Sequence, residues 1–184
     1  MFAVVDIETT GHHVLGNGIT EIAIVLHNGK EFEGTYETLI NPCIPIQKFV
    51  QTLTGITDTM VATAPLFSSV APNIYNLLKD RIFVAHNVGF DYPLVRQQLL
   101  SEGFVFDTPK LCTIKLSKKI FPGLTKYGLE TICKELNIPL NSRHRALGDA
   151  MATAHLLSLL IQNDYSSVIA KTLKIKPHLI VKRK

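Results

Sequence analysis

Two carboxylates close the first apolar stretch of this 184-residue chain, in Asp6-Ile7-Glu8. The stretch Phe2–Ile7 is apolar and valine-bearing and reads as a buried central strand. Residues two apart on a strand face the same side, so Asp6 and Glu8 project together. Paired carboxylates repel and are costly to bury, and a divalent cation relieves both penalties. Oxygen donors of this kind favour magnesium or manganese over zinc. Taken alone, the pair fits a solvated strand end better than a metal site.

A second group is His86-Asn87-Val88-Gly89-Phe90-Asp91, which follows an expected strand and opens an expected helix. Sites assemble where neighbouring strands of an α/β sheet end. Asp91 is either a metal ligand or the N-cap of that helix. Phe90 is either a base-stacking platform or core. A third group is His144-Arg145-Ala146-Leu147-Gly148-Asp149. Asp149 falls near the start of a long helix, where the dipole favours an acid in any case. The alternative is a carboxylate facing the Asp6–Glu8 pair, with His144 within reach of the same point.

These groups need elements to position them. Ile19–His27 is a second apolar run, and Asn28-Gly29 after it is a strong hairpin signal. Lys30–Ile40 reads as a third, antiparallel strand, and Thr52–Thr57 as a loop around Gly55. Pro65 opens a helix that Pro72 should kink or break. Arg81–Ala85 is a fourth strand, Asp91–Glu102 a helix, and a fifth strand lies near Leu111. Thr113–Ile120 and Leu129–Leu136 read as short helices and Arg145–Ile161 as the longest one. The expected fold is α/β: a mixed five-stranded sheet, its first three strands antiparallel, flanked by helices. Residues 1–162 form one domain, and 163–184 read as a basic tail or linker.

Composition narrows the class. The chain is 46% hydrophobic and 18% charged, enough for a sizeable core and unlike a disordered chain. Cys43, Cys112 and Cys133 are odd in number and lack a C-x-x-C pair, which suggests neither a disulfide framework nor a thiolate metal site. With no basic leader before Asp6 and no membrane-length apolar run, a reduced cytoplasmic setting is expected, with no membrane partner. The net charge is +4, yet residues 171–184 hold six basic side chains and no acid. Residues 1–170 are left at −2, so overall pI makes no case for a basic groove.

The three groups together, in this order, resemble the three motifs of the DnaQ-like, or DEDD, exonuclease family. Asp6-Ile7-Glu8-Thr9-Thr10-Gly11 matches the first, and Thr54-Gly55-Ile56-Thr57 and Tyr127-Gly128-Leu129-Glu130 look like further landmarks. The resemblance covers roughly residues 1–162. His144 stands five residues before Asp149 and Arg145 four before, which is similar to the His branch rather than the Tyr branch. The family includes proofreading exonucleases of bacterial replicative polymerases as well as RNA-trimming enzymes.

The resemblance implies a ribonuclease H-like fold and a 3′→5′ exonuclease that releases nucleoside 5′-monophosphates. It implies two divalent cations, Mg2+ or Mn2+, roughly 3.5–4 Å apart, held by Asp6, Glu8, Asp91 and Asp149. His144 would take the proton of the attacking water, a role suited to an imidazole of ordinary pKa about 6.5. Thr9, Thr10, Gly11, Asn87 and Phe90 are the expected substrate contacts. For Thr10 a strand-ending role is equally open, and His86 is expected to support its loop. The expected partner is a single-stranded or frayed 3′ end, DNA before RNA, with a DNA polymerase or repair protein as a further partner. The alternatives are an RNA-trimming enzyme on the same scaffold and a catalytically silent docking module. The loop departs from the family after Gly11, where His12-His13 replaces an aliphatic residue; both are read as loop residues.

Overall fold

The computed structural model describes residues 1–12 and 16–180. Five strands form one sheet in the order β3-β2-β1-β4-β5. Strands β1 (Phe2–Thr9), β2 (Ile19–His27) and β3 (Phe32–Leu39) are antiparallel, while β4 (Ile82–Ala85) and β5 (Lys110–Cys112) run parallel to β1. This is the mixed sheet expected from the sequence. The central strand is apolar on both faces because helices cover both. Phe2 and Val4 join Ala23, Val25 and Leu111 under α7 (Ala146–Asn163). Ala3, Val5 and Ile7 join Ile22, Ile24 and Phe83 under α3 (Phe67–Leu78) and α4 (Val88–Ser101). Leu156, Leu157 and Leu160 of α7 are fully buried, and each contributes about 2 kcal/mol by leaving water.

Three local expectations are corrected. Lys48–Thr54 is a short helix, α1, closed by Gly55 in the left-handed region at φ 72°. Asp58–Ala62 is a second, α2, whose N-cap Thr57 accepts from the Met60 amide. The Thr52–Thr57 segment is thus mostly helix end and helix cap, with Ile56 buried between. Pro72 does not break α3, which runs through it unbroken. Helix α4 begins at Val88, three residues before Asp91, so Asp91 is not its N-cap. Asn87 takes that position at φ 85°, a conformation asparagine tolerates better than most side chains.

The remaining helices are α5 (Thr113–Ile120), α6 (Leu129–Glu135) and α8 (Val168–Leu173), followed by one 3-10 turn at Pro177–Leu179. Residues 168–180 lie against the sheet domain instead of trailing from it, with Ile169, Ala170 and Ile180 buried in the α7 core. Lys182, Arg183 and Lys184, expected in a basic tail, lie outside the described residues, as does His13.

Candidate active site

Strand parity decides which way the first carboxylates face. Asp6 and Glu8 continue the Phe2–Val4 series, which points at α7, and Asp149 sits in the first turns of that helix. The structure brings these three together: one oxygen from each lies within 4.8 Å of the others. Asp149 Oδ2 accepts from the His144 amide at 3.1 Å. Its Oδ1 is buried and has no partner among the described residues. All donors are oxygen, they converge, and one is aimed inward unsatisfied. The set fits a hard divalent cation.

Asp91 approaches from the opposite layer. It is buried, at 5% exposure, and it receives hydrogen bonds from its own backbone and from that of Ile7. Its charge bears directly on Asp6, although it is not part of the 4.8 Å trio. His86 supports this corner: its ring nitrogens meet Thr113 Oγ1 at 2.8 Å and the Tyr127 carbonyl at 3.0 Å. A carbonyl only accepts, so Nε2 carries the proton and Nδ1 accepts from Thr113. Burial pushes His86 down to about 4, which keeps it neutral. Asn87 is exposed at the helix mouth, and Phe90 is half-buried against the α3–α4 core.

His144 precedes α7 in the left-handed region, at φ 59°, and is half-buried. With Asp149, Arg143 and Glu130 it lines a small cavity of about 200 Å³. It stands close enough to Asp149 that a positive charge on its ring would favour ionisation of that carboxyl. Its loop is held in two ways that the motif does not announce. Gly148 packs under the loop so closely that a Cβ there would stand 2.1 Å from the Asn141 carbonyl oxygen and 2.5 Å from that of Ser142. Glu21, 3% exposed and paired across the strands with Glu8, is gripped by Arg145 through both carboxylate oxygens. The Ala146 amide, at the N-terminus of α7, adds a bond of 2.8 Å to the same carboxylate. Sequence reading passes over Glu21, although a charge inside the apolar run Ile19–His27 is a visible signal.

The loop after β1 is tied inside the protein. Thr9 Oγ1 donates to the Gly11 carbonyl at 2.7 Å. Thr10 Oγ1 donates to Asn17 Oδ1 at 3.0 Å and accepts from the Gly18 amide at 3.1 Å. Both hydroxyls therefore close the loop. Gly11 is needed for packing, since a Cβ would meet Gln47 Nε2 at 2.6 Å and Asn17 Oδ1 at 2.7 Å. His12 is exposed and leans on the Phe49 ring, with centroids 4.6 Å apart.

Electrostatically the site is a sink for positive charge. Burial first, then Asp91, Asp149, Glu8 and Glu21, holds Asp6 well above the usual carboxylate range. Burial, then Asp149, Glu21 and Asp91, pushes Glu8 up to about 8, and Arg145 alone opposes it. Burial pushes Asp91 up to about 7 and raises Asp149 as well. Four carboxyls that resist ionisation together are a poor arrangement unless a cation is to sit among them.

A family model described as Exonuclease matches residues 3–157. The chain is 34% identical over 162 residues to the DNA polymerase III subunit epsilon of Aquifex aeolicus, covering 88% of this chain and 80% of that one. It is 40% identical over 157 residues to the 3′-5′ exonuclease DinG of Staphylococcus haemolyticus, covering 85% of this chain and 17% of that protein. With a DNA polymerase III of PolC type the share of the relative is 12%, so the chain spans a small part of these longer proteins. Among solved structures, exonuclease X in complex with 5′ overhanging duplex DNA is similar, with a TM-score of 0.71 and 30% identity over 89% of this chain and 93% of that one.

Proposed function

The chain belongs to the exonuclease family, and from that premise we infer that it is a 3′→5′ exonuclease of ribonuclease H-like fold acting on single-stranded or frayed DNA. The observation that carries this reading is the convergence of Asp6, Glu8 and Asp149 within 4.8 Å, with Asp91 acting on Asp6 and His144 beside Asp149. Asp6, Glu8 and Asp149 would hold one divalent cation and Asp6 with Asp91 a second, magnesium or manganese by donor type. When bound, such a pair supplies positive charge to the phosphoryl oxygens and acidifies water.

His144 takes the proton of the attacking water. The water oxygen bonds to phosphorus, the bond to the 3′-oxygen of the penultimate nucleotide breaks, and that oxygen takes a proton from solvent and leaves as the new 3′-hydroxyl. The product is a nucleoside 5′-monophosphate. The Glu21–Arg145 pair and Gly148 hold the His144 loop against β2 and α7 while this happens. In this reading Thr9, Thr10 and Gly11 shape the wall that receives the terminal nucleotide, and Asn87 and Phe90 are further substrate contacts. The name of the Aquifex aeolicus relative, a DNA polymerase III subunit, supports a polymerase as partner. The chain's three cysteines are free, which suits a reducing, cytoplasmic setting, and no helix among the described residues is long and apolar enough to cross a membrane.

Digestion of matched, end-labelled DNA and RNA oligonucleotides tests the reading. Mononucleotides should be released from the 3′ end, DNA faster than RNA, with activity lost in EDTA and in Asp6→Ala. Undiminished activity in Asp6→Ala would remove the proposed centre, and a clear preference for RNA would move the substrate to the other nucleic acid.

A further inference from the structure

The basic residues of this chain are not spread evenly. Residues 108–129 contain five lysines and no carboxylate, and residues 165–184 contain six basic side chains and no carboxylate. Folding puts the first stretch beside the described part of the second, residues 165–180 with Lys171, Lys174 and Lys176, since α8 packs against α5 and β5. Between them, at the free edge of the sheet, runs a groove of about 430 Å³. Val88, Cys112 and Leu116 form its apolar floor, and Lys110, Lys115, Lys118 and Lys119 its rim.

A lysine on a three-residue edge strand is a common guard against edge-to-edge pairing. That accounts for Lys110 and not for the rest. Lys115, Lys118 and Lys119 share one face of α5, at spacings of three and four, where like charges repel. Among the described residues none of the four lysines is in an ion pair; the two salt bridges join Arg143 to Glu130 and Arg145 to Glu21. Lys110 rests over the Tyr92 ring, 4.1 Å from its centre, and Lys118 lies near the Tyr127 ring. An apolar floor under a rim of cations without carboxylate partners suits a strand that offers sugar and base faces below and phosphates above.

The groove shares elements with the support of the acidic centre. Val88 is the first residue of α4, the helix that carries Asp91. Cys112 precedes Thr113, which bonds His86, and the Lys118 ammonium stands 5.7 Å from the centre of the Tyr127 ring, whose residue bonds the other side of His86.

We propose that this lysine-rimmed groove along β5 and α5 holds the phosphate backbone of the nucleic-acid substrate several nucleotides from the end being cut. The inference rests on the reading of the acidic centre as a nuclease site. It adds a path for the body of the strand, and it gives the basic C-terminal region a role as one wall of that path.

The test is binding of short and long 5′-labelled single strands, about four and about twenty nucleotides, by the full chain carrying Asp6→Asn to prevent cutting. Affinity is measured across a salt series for the triple substitution Lys115→Gln, Lys118→Gln, Lys119→Gln and for a control, Lys30→Gln, Lys79→Gln, Lys134→Gln, with the same loss of charge elsewhere. Each phosphate left without its lysine should lower the salt slope by about 0.7, so the groove triple should lose about two from its slope on the long strand. Its affinity for that strand should fall at least tenfold at low salt, and for the short strand less than twofold, with the control slope unchanged. Equal losses in the two triples, equal losses on short and long strands, or an unmoved slope would each overturn the groove; an acidic protein segment would then be the occupant to seek. Cleavage by the chain with Asp6 intact is assayed in parallel. A chain that cuts normally with an unmoved slope refutes the groove alone, whereas a chain that cuts nothing refutes the nuclease reading.

Discussion

Removing the Arg145 side chain should cost more than an ordinary surface substitution, because of what it leaves behind. Glu21 is 3% exposed and would keep only the Ala146 amide as a partner. Leaving one member of a buried pair uncompensated costs about 3–5 kcal/mol. The guanidinium side chain is 42% exposed, so water replaces part of its effect and the low end, about 3 kcal/mol, is expected for Arg145→Ala. For a chain of this size that lowers Tm by about 6–12 °C. Glu21→Gln removes the charge that needs neutralising, so adding it to Arg145→Ala should recover part of the loss. The double variant should be at least about 1 kcal/mol more stable than the two single losses predict when added. Thermal and urea melts of the four proteins in EDTA provide the cycle. An Arg145→Ala protein within about 0.5 kcal/mol of the parent, or a cycle that closes additively, would show that the pair is a surface contact and not a latch.

Two further outcomes follow from the site. Glu8 at about 8 and Asp91 at about 7 are raised above their unfolded values, so the penalty for ionising them is absent below the unfolded carboxylate range and is complete once pH has risen through the folded values. In EDTA, Tm should therefore fall as pH rises from the unfolded carboxylate range, about 4, and level off once pH has passed about 7 to about 8, and saturating Mn2+ should reduce that fall; a flat Tm across this range in EDTA would contradict the described electrostatics. Gly148→Ala would set a Cβ against the Asn141 and Ser142 carbonyls and push the His144 loop outward, at a cost in kcat on the order of 100-fold, read by single-turnover digestion; activity within threefold of the parent would mean that the loop's position is immaterial.

Much of this centre is legible from residue types because its chemistry tolerates few alternatives. Asp6, Glu8 and Asp149 are visible as acids at the ends of apolar segments, and strand parity alone points the first two toward α7. The supports are harder to see, since any residue of suitable shape can serve as a support. In the sequence Arg145 looks like an absence, the place where the other branch has Tyr, and its partner Glu21 lies 124 residues away. Helices α1 and α2, of seven and five residues, are too short for a hydrophobic period to register. Asp91 resembles a cap because the turn before it, from Val88, has no apolar rhythm. In the C-terminal region the lysines draw attention from Ile169, Ala170 and Ile180, which fasten that region to the core.

The same crowding that makes the acids hard to ionise also couples cation binding to the fold. Every carboxyl raised in this site subtracts from the stability of the folded chain at neutral pH. A cation that binds the folded chain and not the unfolded one returns that stability by mass action. Affinity for the ion and resistance to unfolding therefore draw on one electrostatic imbalance. A substitution that eases the imbalance, such as Glu8→Gln, should raise Tm in EDTA and weaken Mn2+ binding in the same protein. Were the two to move independently, the strain described at β1 would not be what draws the cation in.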